Sequence, residues 1–237
     1  NGFQFVDLSA DANTILVSHS DGISNPGSVI ESIREIDISN CSINCPLSDP
    51  LIATEEFILI GPSYSPTMER IYYTSLFDDN SVNPLRGQHY SAFIEIKDDD
   101  TWSEPRFIGL SGNGDFGDTN YLWQGDVAIM DLGNGPTEVL AIWHRLNGDI
   151  NDYDYIEIID VGSCAASGSG DCLTTGESVI VMTIPDGQKA SFDNKIGASK
   201  LFYSTTDISP DREIIEYDFL SDTERRVAFG YQADSGF

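Results

Sequence analysis

The stretch 147–155, NGDINDYDY, sets oxygen donors close together at Asn147, Asp149, Asn151, Asp152 and Asp154. Carboxylates and amides so spaced suit calcium, which takes about six to eight oxygens from a flexible loop. The Glu that ends an EF-hand loop is missing. The expectation is therefore an irregular Ca2+ site or a plain acidic turn, since Asp and Asn favour turns unaided. Similar acidic stretches hold Asp21, Asp78, Asp79 and Asn80, then Asn113, Asp115, Asp118 and Asn120, then Asp207.

A second group could move protons. RGQHYSAF places Arg86, His89 and Tyr90 near one another, and such a trio can neutralise a uronate and abstract the neighbouring proton, as a polysaccharide lyase requires. A polar loop leading into a strand reads the same way. A glycoside hydrolase needs two carboxylates about 5–9.5 Å apart; Asp7, Asp126, Asp131 and Asp193 are the inner-strand candidates. With 39 acidic residues, such candidates carry little information. Trp102, Trp123, Trp143 and Tyr121 could stack on sugars or anchor a protein, or pack between sheets. No nucleophile elbow, phosphate loop or His-Glu-x-x-His helix occurs, and no catalytic residue is assigned.

Composition narrows the setting. Twelve basic against 39 acidic residues give a net charge of −27 over 237 residues. Nucleic acid is excluded as a partner, because phosphate binding needs clustered Lys and Arg. An acidic surface suits salty surroundings, cation binding or a basic partner. No run of 18 or more apolar residues occurs, so no membrane insertion by a helix is expected. Neither a signal peptide nor an initiator Met is visible, as in a mature or excised chain. The four cysteines form two close pairs, Cys41 with Cys45 and Cys164 with Cys172, and no His lies near either. That argues against zinc and for two local disulfides that pin loop tips in a secreted or periplasmic protein.

These residues sit on a repeat. Strand-like cores align on Ile15, Ile71, Val139 and Leu201, at spacings of 56, 68 and 62 residues. A second landmark, Glu35, Glu95, Glu157 and Glu216, follows at 60, 62 and 59, and is expected to alternate outward on the third strand. Each unit reads as a lead strand, a turn, the landmark strand, a polar loop, the Glu strand, another turn and a closing strand. Four β-branched and aromatic strands per unit with almost no helix is a β signature. The cysteine pairs fall between third and fourth strands of units one and three. Units two and four carry DDDTWSEPR and LSDTERR there, so the units alternate, as from a duplicated pair.

Four-stranded units repeated around an axis make a β-propeller. The second unit, with Ser65, Pro66, Ile71, Tyr73, Ser75, Trp102, Ser103, Glu104 and Pro105, resembles the WD-like repeat of TolB-type propellers. The match is best over 57–110 and follows by register elsewhere. Thr67 and Met68 stand where the family has Asp-Gly. The resemblance implies a propeller scaffold and no catalytic residue. The expected fold is all-β, a single propeller domain over 1–237 with four-stranded blades near 1–56, 57–112, 113–187 and 188–237, either a compact ring of four or part of a larger one. The expected role is an extracytoplasmic recognition or scaffold module that binds a protein or polysaccharide at a cell surface through its loop face. The alternatives are a glycoside hydrolase or polysaccharide lyase acting at the channel, and a subunit of a surface assembly.

Overall fold

The protein is described here from a computed structural model, which describes residues 2–21, 30–41, 44–54, 57–77, 89–110, 119–147, 153–205 and 213–229. Among the described residues, sixteen strands form four antiparallel sheets, each in simple sequence order. Blade 1 is β1 (Gly2–Leu8), β2 (Thr14–Asp21), β3 (Ile30–Asp37) and β4 (Ile52–Thr54). Blade 2 is β5 (Phe57–Tyr64), β6 (Arg70–Phe77), β7 (His89–Glu95) and β8 (Arg106–Leu110). Blade 3 is β9 (Thr119–Asp131), β10 (Pro136–Asn147), β11 (Tyr153–Asp160) and β12 (Val179–Pro185). Blade 4 is β13 (Gly187–Phe192), β14 (Lys200–Thr205), β15 (Glu213–Asp218) and β16 (Thr223–Phe229). The helix among the described residues is one turn, α1 (Cys172–Thr175).

Strand chemistry follows the pattern RIYYTSLF in β6 and VLAIWH in β10, where β-branched and aromatic residues fill a pleat buried on both faces. The lead strands approach one another, β1 against β5, β5 against β9 and β9 against β13. Three buried clusters bridge consecutive sheets. Leu16 and Ile33 meet Ile71 and Tyr73 between blades 1 and 2. Tyr72 and Phe93 meet Leu140 and Ile159 between blades 2 and 3. Ala141 and Ile158 meet Leu201 and Tyr217 between blades 3 and 4. The architecture is an all-β propeller of four blades.

The ladders correct two expectations. Leu8 pairs with Ile15, Tyr64 with Ile71, Val127 with Leu140 and Phe192 with Leu201. Leu140, rather than Val139, is thus the third landmark, and a one-residue slip exchanges the two faces of a strand. The same slip separates the glutamates. Glu35, Glu95 and Glu216 lie on the sheet face turned toward the following blade, whereas Glu157, opposite Ile142, lies on the face turned toward blade 2. None of them projects idly outward. Glu35 accepts from Tyr64 Oη at 2.6 Å and Glu95 pairs with Arg70 at 3.1 Å. Glu157 pairs with buried His144 at 2.9 Å, and Glu216 takes both Lys200 and Arg225. The lead strand of blade 4 runs from Gly187 to Phe192, directly after the tight β12–β13 link.

Both cysteine pairs are bonded, Cys41 to Cys45 and Cys164 to Cys172, in the third-to-fourth hairpins of blades 1 and 3. The second does not pin a loop tip. Its two cysteines are fully buried among Tyr72, Ile108 and Val161 between blades 2 and 3.

Candidate functional site

Antiparallel order divides the connections between two ends. The first-to-second turns and third-to-fourth hairpins share one end, and there the backbone is closely hydrogen-bonded. Thr14 N donates to Ser9 Oγ at 2.9 Å, and Asp131 Oδ1 accepts from Gly133 N at 2.8 Å and Gly135 N at 3.1 Å. Asp193 accepts from Ser199 N at 2.9 Å and Lys200 N at 3.1 Å. The second-to-third links and most blade-to-blade links belong to the other end. They contain Asp78, Asp79, Asn80, Asn113, Asp115, Asp118, Asp149, Asn151, Asp152 and Asp207, which lie outside the described residues.

Near the axis the lead strands are tied by carboxylates. Asp7 Oδ2 accepts from Tyr64 N at 2.8 Å and Ser63 Oγ at 3.2 Å, joining blade 1 to blade 2. Asp126 Oδ2 accepts from Phe192 N at 3.0 Å and Ser191 Oγ at 3.3 Å, joining blade 3 to blade 4. The two arrangements are register equivalents, with Asp one residue before the landmark partner in odd blades and Ser at that place in even ones. Lys195 adds an ion pair to Asp126. Burial works against its charge, but the carboxylates of Asp126 and Asp7 outweigh that and hold the Lys195 pKa above its usual value. The turn carrying Lys195 also docks on β9, where Ile129 N donates to Lys195 O at 2.8 Å.

The outer cleft between blades 2 and 3 is a cavity of about 310 Å3, lined by Tyr90, Pro105, Arg106, Phe107, Gly168, Gly170 and Asp171. Arg106 forms its charged floor but is engaged from the blade 3 side. Its guanidinium donates to Ala165 O at 2.5 Å, Gly170 O at 2.8 Å and Ser169 O at 3.4 Å, and pairs with Glu177 at 2.9 Å. Only 4% of Arg106 is exposed. Gly168 leaves the space for this, since a Cβ there would stand 1.7 Å from Arg106 Nη1. Tyr90 lies against Phe107, with ring centroids 5.1 Å apart, and burial raises its phenol pKa. A phenol so placed stays protonated at neutral pH and can donate a hydrogen bond or stack on a ligand.

The sequence candidates fall out as follows. His89 begins β7, with its side chain outside the described set, as is Arg86 altogether, so the trio with Tyr90 lies partly outside the described residues. Asp154 is buried and accepts from Gln188 of blade 4. Asn147 ends β10, while Asp149, Asn151 and Asp152 lie outside the described residues. Trp102 packs partly buried on the blade 1–2 cluster, and Trp143 is buried in β10. Trp123 and Tyr121 lie on β9, and their side chains are outside the described set. Among the described residues the group of three with metal-ligand chemistry is Cys164, Cys172 and Glu177, and its sulfurs are tied up in the disulfide. Sequence reasoning missed Arg106, although a lone Arg opening the apolar strand RFIGL was a visible signal.

No protein-family model matches the chain, and no curated protein matches it. Several solved structures are similar. A puromycin-hydrolysing peptidase of Mycobacterium tuberculosis shares 9% identity at a TM-score of 0.46, over 94% of this chain and 37% of that one. A structure from a study of two prolyl endopeptidases shares 13% at 0.48, over 95% and 28%. The β-propeller domain of the Trilobed protease from Pyrococcus furiosus shares 7% at 0.43, over 96% and 71%. The chain thus spans about a third of the length of the first two. At these identities the likeness concerns fold alone.

Proposed function

We propose that this chain is an extracytoplasmic recognition or scaffold module of the TolB-type propeller class, binding a protein or polysaccharide through the end that carries its long acidic links. One observation carries the reading. All four carboxylates that the sequence offered to a glycosidase are held by structural hydrogen bonds, Asp7 and Asp126 at blade joints and Asp131 and Asp193 in turns. A carboxylate that holds a backbone N–H in the resting fold is poorly placed to act as a general acid or nucleophile. The WD-like pattern supports the class assignment through a shared hairpin device. Ser103 Oγ accepts from Glu95 N at 3.0 Å and donates to Glu104 O at 2.8 Å, and Ser48 Oγ does the same with Glu35 N at 2.9 Å and Asp49 O at 2.7 Å. Two disulfides, and the absence among the described residues of a helix long and apolar enough to cross a membrane, fit the compartment.

The test is a panel of polysaccharides and of basic proteins, run with calcium and with chelator, scored for retention and for shortened products. Retention without new chain ends is the expected result, with calcium dependence tracing to the acidic links. Release of shortened products would overturn the reading and give the channel to an enzyme.

A further inference from the structure

Each blade ends on an outer strand whose free edge carries backbone N–H and C=O groups that another strand can pair with. Natural sheets guard such edges by shortness, cover or charge. Among the described residues three of the four outer strands are guarded in one of these ways. β4 is three residues long. β8 is largely buried, with Arg106 and Ile108 in the blade 2–3 joint and Leu173 of α1 packed on Gly109. β16, TERRVAF, carries Glu224, Arg225 and Arg226.

β12, VIVMTIP, has none of these devices. It is the outermost strand of its sheet and carries no charged residue, and Val179, Ile180 and Val181 stand 59%, 44% and 42% exposed in succession. The bulge at Val181 does not set it apart, since Ile108 in β8 and Val227 in β16 are bulged at the same place. The chain is described without a break from 153 to 205, on both sides of this strand. An uncharged run of β-branched residues on an open edge readily takes up a further strand.

The surroundings decide what kind of strand fits. From Tyr153 to Asp186, β11, β12 and their connection hold six acids, Asp154, Glu157, Asp160, Asp171, Glu177 and Asp186, and no Lys or Arg. Asp160 lies opposite Val179 at one end of β12, and exposed Asp186 follows Pro185 at the other. A second copy related by a two-fold would set β12 antiparallel to itself. Asp186 of each chain would then approach Asp160 and Glu177 of the other, between chains of net charge −27. Like charges so opposed are destabilising. An apolar strand with basic ends meets the reverse situation.

We propose that the outer edge of β12 receives an extended segment of a partner protein as a fifth strand of blade 3, apolar over about five residues and flanked by Lys or Arg. Main-chain hydrogen bonds hold the segment, and the exposed valines and isoleucine give it apolar cover. The surface runs along the outside of blade 3, so the proposal does not rest on the acidic links at the recognition end.

Fluorescence anisotropy tests it with a labelled synthetic peptide of alternating Val and Thr that carries two Lys at each end. Binding is expected, and replacing the four Lys by Glu should weaken it at least about 10-fold. N-methylation of alternate residues removes the donors along one edge of the peptide and should also cost at least about 10-fold. On the protein, Val181→Lys charges the open edge and should cost about 10-fold or more with an unchanged Tm. Val179→Lys takes its place if that variant unfolds. The proposal is overturned if the Lys-flanked peptide does not bind at about 1 mM, or if binding ignores the flanking charge, the methylation or the Val181→Lys change. A wild-type chain that is dimeric by light scattering and made monomeric by Val181→Lys would also overturn it, in favour of a second copy.

Discussion

The joint between blades 3 and 4 and the joint between blades 2 and 3 are built on different principles. The former, like the joint between blades 1 and 2, is tied near the axis by one carboxylate on two donors of the next lead strand. The latter is tied far from the axis by two arginines. Arg70 bonds Glu95, Tyr72 Oη and Val161 O and lies 5.0 Å over the Phe93 ring, while Arg106 gathers three carbonyls and Glu177. Inner Asp joints occur within blade pairs and the outer Arg joint between pairs, which makes the pair of blades the unit of construction. The inner tie fixes how closely lead strands approach. The outer tie fixes how far the sheets splay.

The largest effect expected from this contrast is at Arg106. Arg106→Ala removes a buried guanidinium that donates to three carbonyls, and with hydrogen bonds to a charged group worth about 1.5–3 kcal/mol each the loss should reach at least about 3 kcal/mol. Urea unfolding reads it. Gly168→Ala should weaken the same latch by about 1–3 kcal/mol through overpacking. A loss below about 1 kcal/mol for Arg106→Ala would mean that water replaces the guanidinium, and the outer joint would lose its special standing.

Next in size is the disulfide that frames the carbonyl cradle. Replacing Cys164 and Cys172 by Ala should cost about 2–4 kcal/mol. Replacing Cys41 and Cys45 should cost less, since that pair closes a shorter loop and is only half-buried. Because Arg106 bonds carbonyls inside the Cys164–Cys172 loop, its loss and the loss of the disulfide should be non-additive by about 0.5–3 kcal/mol. Strict additivity in the double-mutant cycle would separate the latch from the loop.

The inner joints offer a matched pair. Asp126→Asn and Asp7→Asn each weaken a charge-assisted bond to a backbone N–H, at about 1–3 kcal/mol. Asp126→Asn should be worse by up to about 1 kcal/mol, because it also discharges the partly exposed pair with Lys195. The difference should shrink in molar salt, where such a pair is screened. Equal losses at low and high salt would remove Lys195 from the joint.

How much of this was legible in the sequence differs between the two kinds of joint. The four-strand period, the hairpin positions and both cysteine pairings could be read, because turn residues and β-branched runs state them locally. The inner joint was written as Asp7 and Asp126 against Ser63 and Ser191, one residue before each landmark partner, but seeing it needed the right register in blade 3. Val139 and Leu140 are both apolar, so periodicity could not choose between them, and choosing Val139 reversed the face of every neighbour. The outer joint was not legible. Arg106 finds its partners at Ala165, Ser169 and Gly170, about 60 residues away, and they are backbone carbonyls, which no residue type announces. The sequence could not tell the aromatic and calcium candidates from packing and turn residues for a related reason, since Trp and Asp serve packing and turns as readily as ligands.

The smallest effects compare two tyrosines of blade 2 that point into opposite joints. Tyr64 Oη donates to Glu35 Oε1 at 2.6 Å toward blade 1, and Tyr72 Oη donates to Glu138 Oε2 at 2.9 Å toward blade 3. Tyr64→Phe should cost about 1 kcal/mol, the ordinary value of such a bond where the partner is half-buried and water can reach it. Tyr72→Phe should cost somewhat more at neutral pH, about 1.5–2 kcal/mol, because Tyr72 is wholly buried and the side chain of its partner Glu138 is only 14% exposed. Burial raises the Glu138 pKa, and the bonds from Tyr72 and the charge of Arg70 oppose that rise. A carboxyl raised in the fold contributes stability below its unfolded pKa and loses it as pH climbs through the folded value. Removing the Tyr72 hydroxyl lifts that pKa further, so the cost of Tyr72→Phe should grow from pH 4 to pH 8. Thermal melts across that range decide it, and a cost that stays level would take the Tyr72 hydroxyl out of the balance at Glu138.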